Sequence, residues 1–82
     1  MTVKEFNDLS EEVRLYVLAD NGEGLMFRRV RTSVSIVELH ILYTVDGLFV
    51  EMVWNTNNGK IISVRALEYE EMDEFVGNIV IL

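Results

Sequence analysis

The chain contains no cysteine and no proline, and only one histidine and one tryptophan. Without cysteine there is no disulfide, no thiolate zinc site and no cysteine nucleophile, so stability has to come from packing. Basic side chains are scarce as well, with seven Lys and Arg against fourteen Asp and Glu and a formal charge of −7. Nucleic-acid binding depends mainly on displacing counterions with Lys and Arg, so a phosphate backbone is disfavoured as partner and basic or neutral partners fit better. No uninterrupted apolar run approaches the roughly 20 residues that span a bilayer. Met1-Thr2-Val3-Lys4-Glu5 passes directly into charged sequence, without the apolar stretch of a secretory signal. The expectation is a cytoplasmic protein with neither nucleic acid nor membrane as partner.

What is present is hydrophobic material: half of the 82 residues. A chain below roughly 100 residues buries a modest fraction of its surface, so either the core is economical or a partner supplies the rest. Self-association follows as an expectation. With no proline-rich linker, repeat or composition break, residues 1–82 read as a single domain.

Thr2-Val3-Lys4-Glu5 has capping-box spacing, which predicts a short helical turn over residues 3–8. Ser10 caps a second helix, with Glu11 and Glu12 favouring its partially positive end and Leu9, Val13, Tyr16 and Val17 forming an apolar stripe. Asn21 and Gly22 stop it near Asp20, and Gly24 releases the chain into a first strand, Leu25 to Arg31. From Ser35 to Val45 the period is two: Val37, Leu39, Ile41, Tyr43 and Val45 share one face, with Glu38, His40 and Thr44 on the other. Asp46-Gly47 supplies the positive-φ pair of a type I′ hairpin, setting Val45 opposite Leu48, Tyr43 opposite Val50, Ile41 opposite Met52 and Leu39 opposite Trp54.

At the next turn a two-residue Asn58-Gly59 loop would place Trp54 opposite Ser63 and Met52 opposite Arg65, spoiling the apolar face. A three-residue loop, Asn57-Asn58-Gly59, with the glycine as a bulge, pairs Trp54 with Ile62, Met52 with Val64 and Val50 with Ala66. Glu68 to Glu74 then holds five acids, with Leu67, Met72, Phe75 and Val76 as the apolar side of a short helix that Gly77 ends. Asn78-Ile79-Val80-Ile81-Leu82 is expected to pack down or extend a sheet edge. The resulting fold class is α+β: an amino-terminal helix on an approximately four-stranded antiparallel meander, a short carboxyl-terminal helix and an apolar tail. The amino-terminal helix lies across the face carrying Tyr43, Met52, Trp54 and Val64. The opposite face is mixed, with Ile36, Leu42, Phe49 and Val53 among Glu38, His40, Thr44 and Glu51.

His40 is the only imidazole, and useful acid–base work needs a second group to orient it or receive its proton. Glu38 lies two positions away on the same face and Glu51 diagonally across, so a small hydrolase or proton-transfer site is the enzymatic alternative. Metal sites need three or four convergent ligands, which strand alternation alone does not supply. Arg28, Arg29 and Arg31 form the one basic cluster; Arg29 and Arg31 share a face and offer planar donor forks to an acidic partner, a weakly held anion or the chain's own carboxylates. Gly22-Glu23-Gly24 lacks the remaining residues of a phosphate loop and reads as a helix stop. Tyr43, Val50, Met52 and Trp54 are spaced as core.

The stretch Leu42-Tyr43-Thr44-Val45-Asp46-Gly47-Leu48-Phe49-Val50-Glu51-Met52-Val53-Trp54 resembles a family of small α+β proteins of unknown function found in Bacteroidetes. In that family an early Lys-Glu-Phe-Asn segment precedes a helix and a glycine. Here these are Lys4-Glu5-Phe6-Asn7 and Gly22 or Gly24, and the similarity continues through Ile61-Ile62-Ser63-Val64-Arg65-Ala66-Leu67 into an acidic segment ending near Ile79. The resemblance implies the fold and brings no catalytic motif. The chain departs from it in the longer Arg31 to Ser35 connection, in Trp54, and in the acidity of Glu68 to Glu74.

The reading that results is a noncatalytic protein-interaction or structural module whose partner is a second copy or a small protein. Its expected surface involves Arg29, Arg31, His40, Phe49, Ile79 and Ile81. No catalytic residue, metal ligand, cofactor or small-molecule substrate is assigned.

Overall fold

A computed structural model describes residues 1–77. The order is α1 (Val3–Asp8), α2 (Glu11–Asn21), β1 (Glu23–Arg31), β2 (Val37–Val45), β3 (Leu48–Asn55), β4 (Lys60–Ala66) and α3 (Tyr69–Gly77). The four strands form one antiparallel sheet in sequential order. Helices α1 and α2 lie on one face and α3 on the other, so the fold is α+β as the hydrophobic pattern predicts.

Local chemistry accounts for each element. Thr2 and Glu5 exchange the two hydrogen bonds of a capping box at α1, and the Ser10 hydroxyl accepts the Val13 N–H at the start of α2. Asp46 and Gly47 adopt φ of 49° and 77°, the left-handed pair of a type I′ turn. That turn fixes the β2–β3 register as expected, pairing Tyr43 with Val50, Ile41 with Met52 and Leu39 with Trp54. The main core follows: Phe6 and Leu18 from the helices cover Val45, Val50, Met52, Val64 and Ala66. Phe6 is fully buried, and burying one phenylalanine contributes about 1.5 to 3 kcal/mol.

The β3–β4 turn differs from expectation. Asn55 pairs with Lys60 and Trp54 with Ile61 rather than Ile62, while Met52–Val64 and Val50–Ala66 hold. The side chains of Asn55 and Asn58 accept the N–H groups of Asn57 and Lys60. The Gly59 N–H donates to the Asn55 carbonyl at 2.9 Å with φ 69°, closing a longer turn. The extra residue therefore sits at Ile62, inside the strand, and the bulge there restores the register beyond it. Helix α2 is rotated from part of the expected stripe: Leu9 and Val17 pack against the core as expected and Leu18 is buried, whereas Val13 and Tyr16 are 43% and 66% exposed. The same orientation lets the Arg14 guanidinium donate to the carbonyls of Leu9 and Val64. Strand β1 begins at Glu23, two residues early, with a bulge at Leu25.

The mixed sheet face is met by α3, whose Phe75 packs with Leu42 and Leu67 against Met26, Phe49 and Met72. The side chain of Val76, and the tail roles expected for Ile79, Val80, Ile81 and Leu82, lie outside the described structure. Arg65 and the Glu68 N–H both hydrogen-bond Glu71, and in that order they hold its carboxyl below the usual glutamate range. A depressed folded-state value contributes stability above the ordinary glutamate pKa, and that contribution is lost as pH falls through the lowered value. Acidification through that window should loosen the start of α3, seen as changes in the Phe75 ring resonances. Glu71→Gln should remove this part of the pH response.

Candidate functional site

Strand alternation carries His40, Glu38 and Arg28 to the α3 side of the sheet, and Leu42–Glu51 pairing brings Glu51 to the same side. The three groups of the enzymatic alternative do meet. His40 Nε2 lies 3.0 Å from Glu38 Oε1, and Nδ1 lies 3.3 Å from Glu51 Oε2. Arg28, directly across from His40 in β1, brings a guanidinium nitrogen to 3.9 Å from Glu51 Oε2 and sets its guanidinium carbon 4.4 Å from the centre of the Phe75 ring. Glu51 is itself buried.

A carboxylate only accepts hydrogen bonds. Both histidine contacts are therefore hydrogen bonds at once only when each ring nitrogen bears a proton, or when one carboxyl keeps its own. With a doubly protonated ring, His40 and Arg28 balance Glu38 and Glu51 in charge. Each ring nitrogen already faces a carboxylate, so neither offers a lone pair to a substrate proton. Nor do Glu38 and Glu51 converge on one point, because they approach opposite sides of the ring. Among the described residues no three His, Asp or Glu side chains are placed to hold a metal ion. Of the basic cluster Arg28, Arg29 and Arg31, it is Arg28 that joins this site, not the same-face pair Arg29 and Arg31. Alternation already put Arg28 on the other face, and only its partnership with His40 needed the β1–β2 register.

Arg29 and Arg31 lie on the α1–α2 side of β1 and are exposed. Phe27 shares that side and is 64% exposed. Phe49, by contrast, packs with the α3 cluster. The expected surface residues thus divide between two faces of the sheet, and Ile79 and Ile81 lie outside the described residues.

The hydrogen-bond phase of the sheet distinguishes its two edges. The Thr32 N–H donates to Ile36 at 3.0 Å just past the β1–β2 ladder, and on the other side of β2 the Thr56 N–H donates to the Val37 carbonyl. Backbone groups alternate in direction along a strand. Those of Arg28 and Val30 therefore turn toward β2, and those of Phe27, Arg29 and Arg31 turn outward. On β4 the Leu67 N–H donates inward to Phe49, so the groups of Val64 and Ala66 turn outward. Both groups of Ala66 and the carbonyl of Val64 are taken: Asn7 Nδ2 donates to the Ala66 carbonyl at 3.1 Å, Asn7 Oδ1 accepts the Ala66 N–H at 2.8 Å, and Arg14 donates to the Val64 carbonyl. The Asn7 amide substitutes for a neighbouring strand.

Between α2 and the sheet lies an apolar groove of about 350 Å³ lined by Leu15, Ala19, Tyr43 and Trp54 among others. Tyr43 is the one hydroxyl-bearing residue of its lining. No helix among the described residues is long and apolar enough to cross a membrane. Compared with known proteins, the chain matches no family model, no curated protein and no solved structure.

Proposed function

We propose that the chain is a noncatalytic protein-interaction module that engages another polypeptide by adding it as a fifth strand beside β1. One observation carries this reading: on β4 the outward N–H and C=O of Ala66 and the carbonyl of Val64 are occupied by Asn7 and Arg14, whereas β1 presents those of Phe27, Arg29 and Arg31 without a partner among the described residues and with exposed side chains beside them. Main-chain hydrogen bonds then give affinity, and alternate side chains give specificity. The noncatalytic part rests on His40, both of whose ring nitrogens face carboxylates of the fold itself. A cytoplasmic setting belongs to the proposal, since small domains in oxidising compartments commonly rely on the disulfides this chain lacks.

Proline tests it. The Phe27 N–H points away from β2, so Phe27→Pro removes an outward donor while sparing the β1–β2 ladder. Peptides selected against the wild-type chain from a random library should slow amide exchange at Phe27, Arg29 and Arg31. They should bind Phe27→Ala with modest loss and Phe27→Pro at least about tenfold more weakly, the equivalent of one net hydrogen bond of about 1.4 kcal/mol. Protection elsewhere, or equal binding to both variants, would overturn strand addition.

A further inference from the structure

We propose that the strand recognised at β1 is acidic, with the pattern acid-x-acid-x-apolar, its carboxylates facing Arg31 and Arg29 and its apolar side chain covering Phe27. This rests on strand addition at β1 and adds the chemistry of the partner. The pattern follows from geometry. Phe27, Arg29 and Arg31 have outward backbone groups and side chains on one face. An antiparallel strand continues the pattern of the whole sheet, and its residues directly opposite these three lie on the same face, within side-chain reach. Read from its amino end, the incoming strand meets Arg31, then Arg29, then Phe27.

Among the described residues, Lys4 meets Asp8, Arg28 meets Glu51 and Arg65 meets Glu71, while Arg14 is spent on two carbonyls. Neither Arg29 nor Arg31 has a carboxylate within 4.0 Å among those residues, although the chain carries fourteen acids. Arg31 gives one donor to the Val34 carbonyl at 3.1 Å and keeps the rest of its fork. The overall charge of −7 points toward basic partners, but at physiological ionic strength it is screened beyond about 8 Å. At contact distance the field is that of two arginines.

A second copy fits this edge less well. Antiparallel self-pairing centred on Arg28 or Arg29 sets arginine against its own twin. Centred on Phe27, the pairing reaches the bulge at Leu25 two residues away. Bulges and edge cations are recognised devices against like-edge association. The same arginines that repel a copy select for carboxylates.

The probe is the peptide acetyl-Thr-Glu-Thr-Glu-Thr-Phe-Thr-amide, with glutamine and lysine versions in place of its glutamates, titrated into the full chain and followed by backbone amide resonances. The glutamate peptide should shift and protect Phe27, Arg29 and Arg31, and bind about tenfold more tightly than the glutamine peptide, as two exposed ion pairs provide. Raising the salt should shrink that ratio. The double variant Arg29→Glu/Arg31→Glu, altered only at exposed positions, should reverse the preference toward lysine. Equal binding of glutamate and glutamine peptides at β1 would overturn the acidic preference and leave strand addition standing. Binding away from β1, or none by any peptide, would overturn both. A concentration-dependent dimer in sedimentation that protects the same amides would assign the edge to a second copy, and preference for an oligonucleotide would assign it to phosphate; either would overturn the acidic strand.

Discussion

Replacing His40 with leucine should lower the free energy of unfolding in urea by about 2 to 3 kcal/mol, despite adding apolar surface to a sheet face that α3 covers. The cost comes from what the imidazole leaves behind. Glu38 and Glu51 approach its two nitrogens at 3.0 and 3.3 Å, and with the ring gone they face one another across leucine. Breaking a fully buried pair costs about 3 to 5 kcal/mol. Here the His40, Glu38 and Glu51 side chains keep 14%, 21% and 11% of their surface, so water reduces the penalty without removing it. Arg28 remains at 3.9 Å from Glu51 and offsets part of one charge only.

A companion variant separates the cost of breaking the cluster from the value of having it. Arg28→Met, Glu38→Val, His40→Leu and Glu51→Leu together remove every charge at once, and apolar replacement of a whole buried ion cluster is commonly neutral or stabilising. Its stability should return to within about 1 kcal/mol of the parent. Arg28 is included because its buried Nε has no hydrogen-bond partner among the described residues. With Glu51 removed, its charge against Phe75 would be uncompensated. If His40→Leu alone costs less than about 0.5 kcal/mol, the cluster is not an electrostatic element of the fold. Should the apolar variant still bind the β1 peptides, the His40 cluster and the interaction edge are separate features on opposite faces of the sheet.

How far the fold could be read in advance followed the range of the forces involved. Asp46-Gly47 has local φ preferences that fix a turn, and the turn fixes the register from Leu39–Trp54 to Val45–Leu48. Local information of that kind is legible in sequence. The meeting of His40 with Glu38 and Glu51 was legible for the same reason, since alternation and that register place all three. The Gly59 turn was legible only in part. Its bulge moved to Ile62 because the Asn55 and Asn58 side chains support a longer turn, a balance that residue spacing does not reveal. The rotation of α2 was hidden because Val13 and Tyr16 repeat as regularly as Leu15 and Leu18. The inward side also carries Arg14, which bonds the nearby Leu9 carbonyl and the Val64 carbonyl on a strand fifty positions away. Arg28 was half legible: its face was fixed by alternation, its partner by tertiary pairing.

Asn7 left no such trace, and its replacement tests the asymmetry on which strand addition depends. Asn7→Leu should destabilise the chain by about 3 kcal/mol, because both the N–H and the C=O of Ala66 lose their partners and each unsatisfied buried group costs about 1 to 3 kcal/mol. Water cannot readily take their place, since Ala66 is 1% exposed and lies within the core cluster beneath α1. Asn7→Asp retains the acceptor for the Ala66 N–H but turns its second oxygen toward the Ala66 carbonyl, so both oxygens there are acceptors. It should fall between the parent and Asn7→Leu, and its deficit should shrink at a pH low enough to protonate the new carboxyl, which then donates to that carbonyl. The Ala66 amide reports the mechanism directly: its hydrogen exchange should accelerate in Asn7→Leu well beyond the change expected from global stability alone. If Asn7→Leu costs under about 1 kcal/mol, or the Ala66 amide stays as protected as before, the asparagine does not act as a substitute strand. The β4 edge would then be closed by coverage alone, and the distinction between a plugged edge and an open one would lose its chemical basis.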